Sequence, residues 1–276
     1  MITDYSLRTK NPAVYNNQSF NNKIHVAAQG VTNLLDLGCG TGGLTRILKP
    51  SGEVVLLDRD KAVLEKALMI LAGEGYQRIQ TMNQDVRDPL GFSQEMPNEY
   101  LTIGMRFLRG DLSQKEYLDL LGRLGKNIAI PDGSPLIVVD QIGNNENEAR
   151  ALSAIRDAKH EVSILASQKQ RPEKYLEFTP ADIPTREMFL QVPSPWEPMQ
   201  IIGETISHVG PADWFGGNQI PESQIKPLSQ KIRDIIAQCQ AHNLNCTDDQ
   251  RVDGAVTIDI PVVLGKTFLT RDIADS

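Results

Sequence analysis

The run Asp36-Leu-Gly-Cys-Gly-Thr-Gly42 holds the densest set of residues able to do chemistry, and a second carboxylate, Asp58, follows twenty residues after Gly38. Glycines are required where the backbone takes positive φ or comes within contact distance of a ligand. Asp58 closes the apolar run Val54-Val-Leu-Leu57. A carboxylate in that place accepts hydrogen bonds from ribose hydroxyls, so the chemistry is nucleotide binding. A second set lies in Glu204 to Gly217, where His208 and Asp213 are candidate proton acceptors. Trp214 and Phe215, between Pro211 and the paired glycines, could wall an organic substrate. Cys239, His242 and Cys246 lack a fourth ligand, and no metal site is expected.

The elements that must position these residues follow from apolar spacing. Leu34, Leu35 and Leu37 read as a buried strand, Gly43 to Leu48 as a helix and Val54 to Leu57 as the next strand. Lys61 to Ala72 carries Val63, Leu64, Ala67, Leu68 and Leu71 at helical spacing, stopped by Gly73 and Gly75. A third strand over Ile79 to Met82 leads to Asp85, Val86, Asp88 and the breaker Pro89, and Tyr100 to Leu108 supplies a fourth. Ser113 and Glu116 form a capping box ahead of a helix to Leu124. The turn Pro131-Asp-Gly133 precedes a fifth strand ending at Asp140, and Asn145 to Ala166 is helical. Seven prolines between Lys169 and Asn218 predict a cap of short pieces, because proline breaks helices and central strands. A helix from Ile225 or Pro227 to Ala241 and a β-rich run over 251–265 close the chain, with Pro261 expected at an edge or bulge. Met1 to Asn22 reads as a polar loop, followed by a short helix over Lys23 to Gln29 in which Ile24, Val26 and Ala27 offer apolar contacts.

The glycine loop resembles the first motif of class I methyltransferases that use S-adenosylmethionine. Its glycines fall in the order G-x-G-x-G, whereas a dinucleotide fingerprint reads G-x-G-x-x-G. The resemblance covers about residues 30–142. It implies a Rossmann-like, doubly wound, mostly parallel seven-stranded α/β sheet with helices on both faces, plus an insertion or cap in the C-terminal half. It also implies that Asp36 organises the loop around the methionine end of the cofactor, with Gly38, Cys39, Gly40 and Gly42 in contact. Asp58 and Arg59 would meet the ribose region. Asp85 would accept the adenine amine beside Val86, Asp88 being the competing choice. Gly104, Met105 and Arg106 would border cofactor and substrate, Arg106 on the substrate side. Tyr15, with Phe20, would belong to an N-terminal lid. Arg109 and Gly110 stand where many small-molecule methyltransferases carry a histidine pair, so no histidine base is expected there. The expected divisions are 1–30 as N-terminal segment, 31–144 as cofactor core, 145–224 as insertion and 225–276 as returning strands.

Composition narrows the partners. The net charge of −7 and pI near 5.2 disfavour nucleic acid, whose backbone calls for a basic face. No apolar run reaches membrane-spanning length. Three cysteines do not build a disulfide framework, which suggests the cytoplasm. The expected acceptor is therefore a small molecule, methylated on oxygen, nitrogen or carbon by a monomer or homodimer. Protein or peptide methylation, a methyltransferase-like protein without transfer activity, and a nicotinamide oxidoreductase are the competing readings.

Overall fold

The computed structural model describes residues 18–28, 30–89, 101–108, 112–167, 183–211 and 222–271. Its elements run α1 (Gln18–Ala27), β1 (Asn33–Leu37), α2 (Gly43–Leu48), β2 (Val54–Asp58), α3 (Lys61–Gly73), β3 (Ile79–Asn83), β4 (Leu101–Arg106), α4 (Gln114–Lys126) and β5 (Pro135–Gln141). After these come α5 (Glu146–Ser167), α6 (Arg186–Leu190), β6 (Gln200–Val209), α7 (Ile225–Gln238), β7 (Cys246–Asp248) and β8 (Val256–Phe268).

The strands form an eight-stranded sheet in the order β3-β2-β1-β4-β5-β8-β6, with the short β7 pairing β8. From β1 to β3 the chain winds outward in one direction. At β4 it returns to the other side of β1 and winds the opposite way, with β1 to β5 all parallel. The reversal lies between β1 and β4, and ligands of open α/β sheets bind beyond the carboxyl ends of the strands at such a point. The residues just past Leu37, Asp58 and Arg106 therefore stand at the carboxyl ends around that reversal.

Two compact units divide the chain. One takes Gln18–Asp140, Leu190–Glu204 and the stretch from Val263; the other takes Gln141–Phe189 and Thr205–Val262. Residues 145–224 have parts in both units. In the first unit, β1, β2, β4 and β5 are nearly continuous apolar runs whose Leu34, Leu56, Ile103 and Val138 are fully buried, as parallel strands covered on both faces require. Gly104 leaves room in this packing: a Cβ there would sit 2.7 Å from Leu44 of α2. In the second unit, Leu152 and Ile155 of α5 join Leu228 and Ile232 of α7 in a separate core.

Three expectations change. Helix α1 begins at Gln18, inside the stretch read as loop, because Phe20 and Ile24 stand four residues apart and bury one face; Val26 is exposed. The proline-rich stretch contains a ten-residue strand, β6, since no proline falls between Pro198 and Pro211 and residues 200–206 alternate exposed and half-buried. Pro261 lies in β8, which sits between β5 and β6 and not at an edge. Its carbonyl still accepts the Ile142 N–H at 3.0 Å, so the missing proline N–H removes a single ladder bond.

Candidate active site

The turn after β1 is built from backbone that only glycine adopts without strain: Gly38, Gly40 and Gly42 have φ of 62°, 54° and 77°. Nothing lies within 4 Å of the place a Cβ would occupy on Gly40, so this peptide borders open space. Its N–H is aimed at the end of β2, donating to Asp58 Oδ2 at 2.9 Å, while Asp60 N–H donates to Oδ1 at 3.0 Å. The two strand ends are thereby tied together by the carboxylate the sequence singled out. Each carboxylate oxygen has two lone-pair directions, so Asp58 keeps acceptor capacity beyond these bonds. Burial pushes its pKa up, against the pull of the Asp60 and Gly40 N–H groups.

Asp36 is 1% exposed and accepts the Thr45 hydroxyl at 2.7 Å. Burial raises its pKa to about 6, opposed by Thr45 and by the Arg106 guanidinium. A buried carboxylate with so strained a charge is suited to receive a ligand cation. Arg106, at the end of β4, brings its guanidinium to 3.3 Å from where a Cβ would stand on Gly43 and lies 5.4 Å from the Phe107 ring centre. Cys39 is buried, donates its thiol to Gly40 O at 3.4 Å and has its pKa pushed well up by desolvation, which makes it an inert part of the loop. Met105, next to Arg106 in β4, is fully buried.

Beyond β3, residues 85–88 make a tight turn closed by Asp88 N–H to Asp85 O at 3.1 Å. Asp85 Oδ1 accepts the Arg87 N–H at 3.0 Å, Oδ2 meets Arg87 Nη1 at 3.1 Å, and Arg59 Nη1 stands 3.8 Å from Oδ2. Val86 is 5% exposed, largely beneath the turn's surface. Sequence reading missed Asn83, whose amide donates to Asp58 O at 3.2 Å and Arg59 O at 2.9 Å and so fixes the chain just past β2. Its only sequence signal was a polar residue closing a strand.

The structure thus brings together Asp36, the glycine loop, Asp58, Arg59 and Asp85 within one unit, with Arg106 beside Asp36. It places His208 in the other unit, on β6, where its ring Nδ1 meets Asp259 Oδ1. Asp259 Oδ2 also accepts Asn245 Nδ2 at 3.0 Å. Neither partner was foreseen, since they stand 51 and 37 residues from His208 in the chain. Tyr15, Asp213, Trp214 and Phe215 lie outside the described residues, as does the lid assigned to the N-terminal segment; Phe20, its other candidate, is buried in α1. Among the described residues no cluster of His, Cys, Asp and Glu could hold a metal ion, and no helix is long and apolar enough to cross a membrane.

Comparison with known proteins agrees with this geometry. Residues 29–99 match the family described as methyltransferase domain, the stretch that carries the glycine loop, Asp58 and Asp85. A Bacillus halodurans C-125 protein described as a methyltransferase superposes with a TM-score of 0.64 at 14% identity, covering 92% of this chain and all of its own. The YcgJ protein of Bacillus subtilis gives 0.64 at 11% identity, over 91% of this chain and 99% of its own. A structure bearing on conversion of a disulfide bond into a thioacetal group during echinomycin biosynthesis gives 0.50 at 15% identity, over 92% of this chain and 82% of that one. No relative was found among curated proteins. The fold is Rossmann-like. Residues 29–99, which hold the G-x-G-x-G loop, carry the methyltransferase domain, and the whole sheet shares its fold with these structures.

Proposed function

We propose that the enzyme transfers the methyl group of S-adenosylmethionine to an oxygen, nitrogen or carbon of a small molecule, in the cytoplasm. The observation that carries the cofactor half is the open Gly40 peptide bonded to Asp58 at the reversal of strand order. The residues fit the cofactor in kind. Asp36 is a buried anion for the methionine ammonium, the glycine loop admits close approach of a ligand, Asp58 has acceptors for ribose hydroxyls, and Asp85 has one for the adenine amine. When bound, S-adenosylmethionine would supply an electrophilic sulfonium methyl: the acceptor's lone pair would form the new bond to carbon while the S–C bonding pair stays on sulfur, giving a neutral thioether. The chain's own part is to orient the reactants and exclude water, which can carry much of such a reaction.

On the acceptor side we assign proton removal to His208. Asp259, steadied by Asn245, receives the Nδ1–H and so fixes the tautomer that leaves Nε2 as a base. An alcohol or phenol acceptor gains most from such a group. The acidic net charge of −7 supports a small molecule over nucleic acid. Three free cysteines fit a reducing compartment.

The test uses methyl-labelled S-adenosylmethionine and a cell extract separated by size. Label in the small-molecule fraction, dependent on the enzyme, is the expected result. Label confined to protein or nucleic acid overturns the substrate class.

A further inference from the structure

We propose that Arg123, on α4, is a positioning residue for adenine recognition, holding the Asp85–Asp88 turn in the shape that presents the Asp85 carboxylate. This rests on the proposed function's assignment of that turn to the adenine. The turn follows β3 and is irregular chain, with Asp88 and Pro89 exposed, so neither strand pairing nor burial alone fixes it. Its carbonyls are instead taken up by one side chain 37 and 35 residues away. Arg123 Nη2 donates to Val86 O at 2.6 Å, and Arg123 Nη1 donates to Asp88 O. A planar guanidinium presents donors in a rigid fork, so two carbonyls held by one arginine are fixed relative to each other.

The same helix supplies a second tie. Glu116, at the start of α4, accepts Arg87 Nε at 2.8 Å, while its other oxygen accepts the Ser113 N–H at 2.7 Å in the capping box. Arg87 in turn grips Asp85. Both ends of α4 therefore act on the turn: Glu116 through the Arg87 side chain, Arg123 through main-chain carbonyls. Partial burial pushes Glu116 up, but the Ser113 and Arg87 contacts outweigh it and hold its pKa below the ordinary value, so the tie stays charged at neutral pH. An amine-accepting carboxylate discriminates between bases only when it cannot swing away, and α4 denies it that freedom.

The experiment compares S-adenosylhomocysteine with its hypoxanthine counterpart, in which an oxo group replaces the exocyclic amine. Binding is measured by calorimetry on the full chain and on folded Arg123→Ala and Arg123→Lys variants. The wild type should prefer the adenine ligand by at least about tenfold, the size expected for one hydrogen bond to a charged acceptor. Arg123→Ala should lose most of that preference, and Arg123→Lys, which keeps one donor and the charge, should recover part of it. A merely structural role would weaken both ligands equally. If Arg123→Ala cannot be purified folded, Arg123→Gln carries the same expectation. Wild-type preference retained in the folded variants overturns the role of Arg123. A wild type that binds both ligands equally shows that the turn does not read adenine. A wild type that binds neither overturns the cofactor assignment itself.

Discussion

At the scale of single residues, two acids, the buried Asp36 and the half-buried Asp58, govern how the site answers to pH. Asp36 titrates near 6 in the folded protein because burial disfavours its charge. A cationic ligand beside it favours the charged form, so binding lowers the Asp36 pKa and releases a proton. Affinity for S-adenosylmethionine should therefore fall as pH drops below about 6, approaching tenfold per pH unit, and level off above it. Asp58, also raised, acts in the same direction. Asp36→Asn should bind more weakly at pH 8 and show a flatter profile, measured by calorimetry across pH. The sign for stability is opposite: the folded protein holds the Asp36 proton more tightly than the unfolded chain, so this group makes stability decline as pH rises from about 4 to 6. Gly40→Val places a β-branched side chain at a φ of 54°. It should cost about 1–2 kcal/mol of stability and reduce cofactor affinity by more than tenfold, read from urea unfolding and titration. These residues were legible in the sequence because their signal is local, glycines and a carboxylate at fixed spacing. Asn83, Asp259 and Arg123 were not, because each acts on chain 24 to 51 residues away and carries no local mark.

At the scale of elements, α4 is the piece on which most of the site's support converges. Its start was readable, since Ser113 and Glu116 form the capping box their spacing announces. Its end was not. Arg271 donates to the carbonyls of Gly125, Asn127 and Ile130 at 2.9, 2.6 and 2.9 Å, supplying partners that a helix end lacks. Arg271→Ala leaves these carbonyls to water and should lower stability by about 1–3 kcal/mol, measured as a shift in urea midpoint, while cofactor affinity stays within about twofold. Weakened cofactor binding in that variant would mean that the far end of α4 also reaches the site. Helix α1 and strand β6 were misread for a related reason. Polar and proline-rich surroundings dominated the local pattern, and the apolar residues that seat these elements, Phe20 and Ile24 or Val209, are too few to announce a period. The middle position of β8 could not be inferred at all, because sheet order is set by pairing between distant segments.

At the scale of the molecule, the sheet order β3-β2-β1-β4-β5-β8-β6 makes one place special, the reversal between β1 and β4. The glycine loop stands beyond one of those strands and Arg106 ends the other, while Asp58 ends the neighbouring β2 and is bonded to the loop. The glycine-loop half was legible because β1, β2, α3 and β4 each carry their own apolar run. The setting of His208, proposed for the acceptor side, was not, since its partners Asp259 and Asn245 stand 51 and 37 residues away in the chain. That proposal is checked by His208→Ala, which should lower the single-turnover rate by roughly 10²–10⁴-fold with cofactor affinity unchanged if the acceptor is an alcohol or phenol. The central claim, that the β1 loop and Asp58 together bind S-adenosylmethionine, is tested most directly by calorimetric titration of wild type and folded Asp58→Ala. The wild type should bind, and the variant should bind roughly ten- to a hundredfold more weakly, as expected for lost hydrogen bonds to a charged acceptor. Equal affinity in the two proteins, or no binding by the wild type, would contradict it.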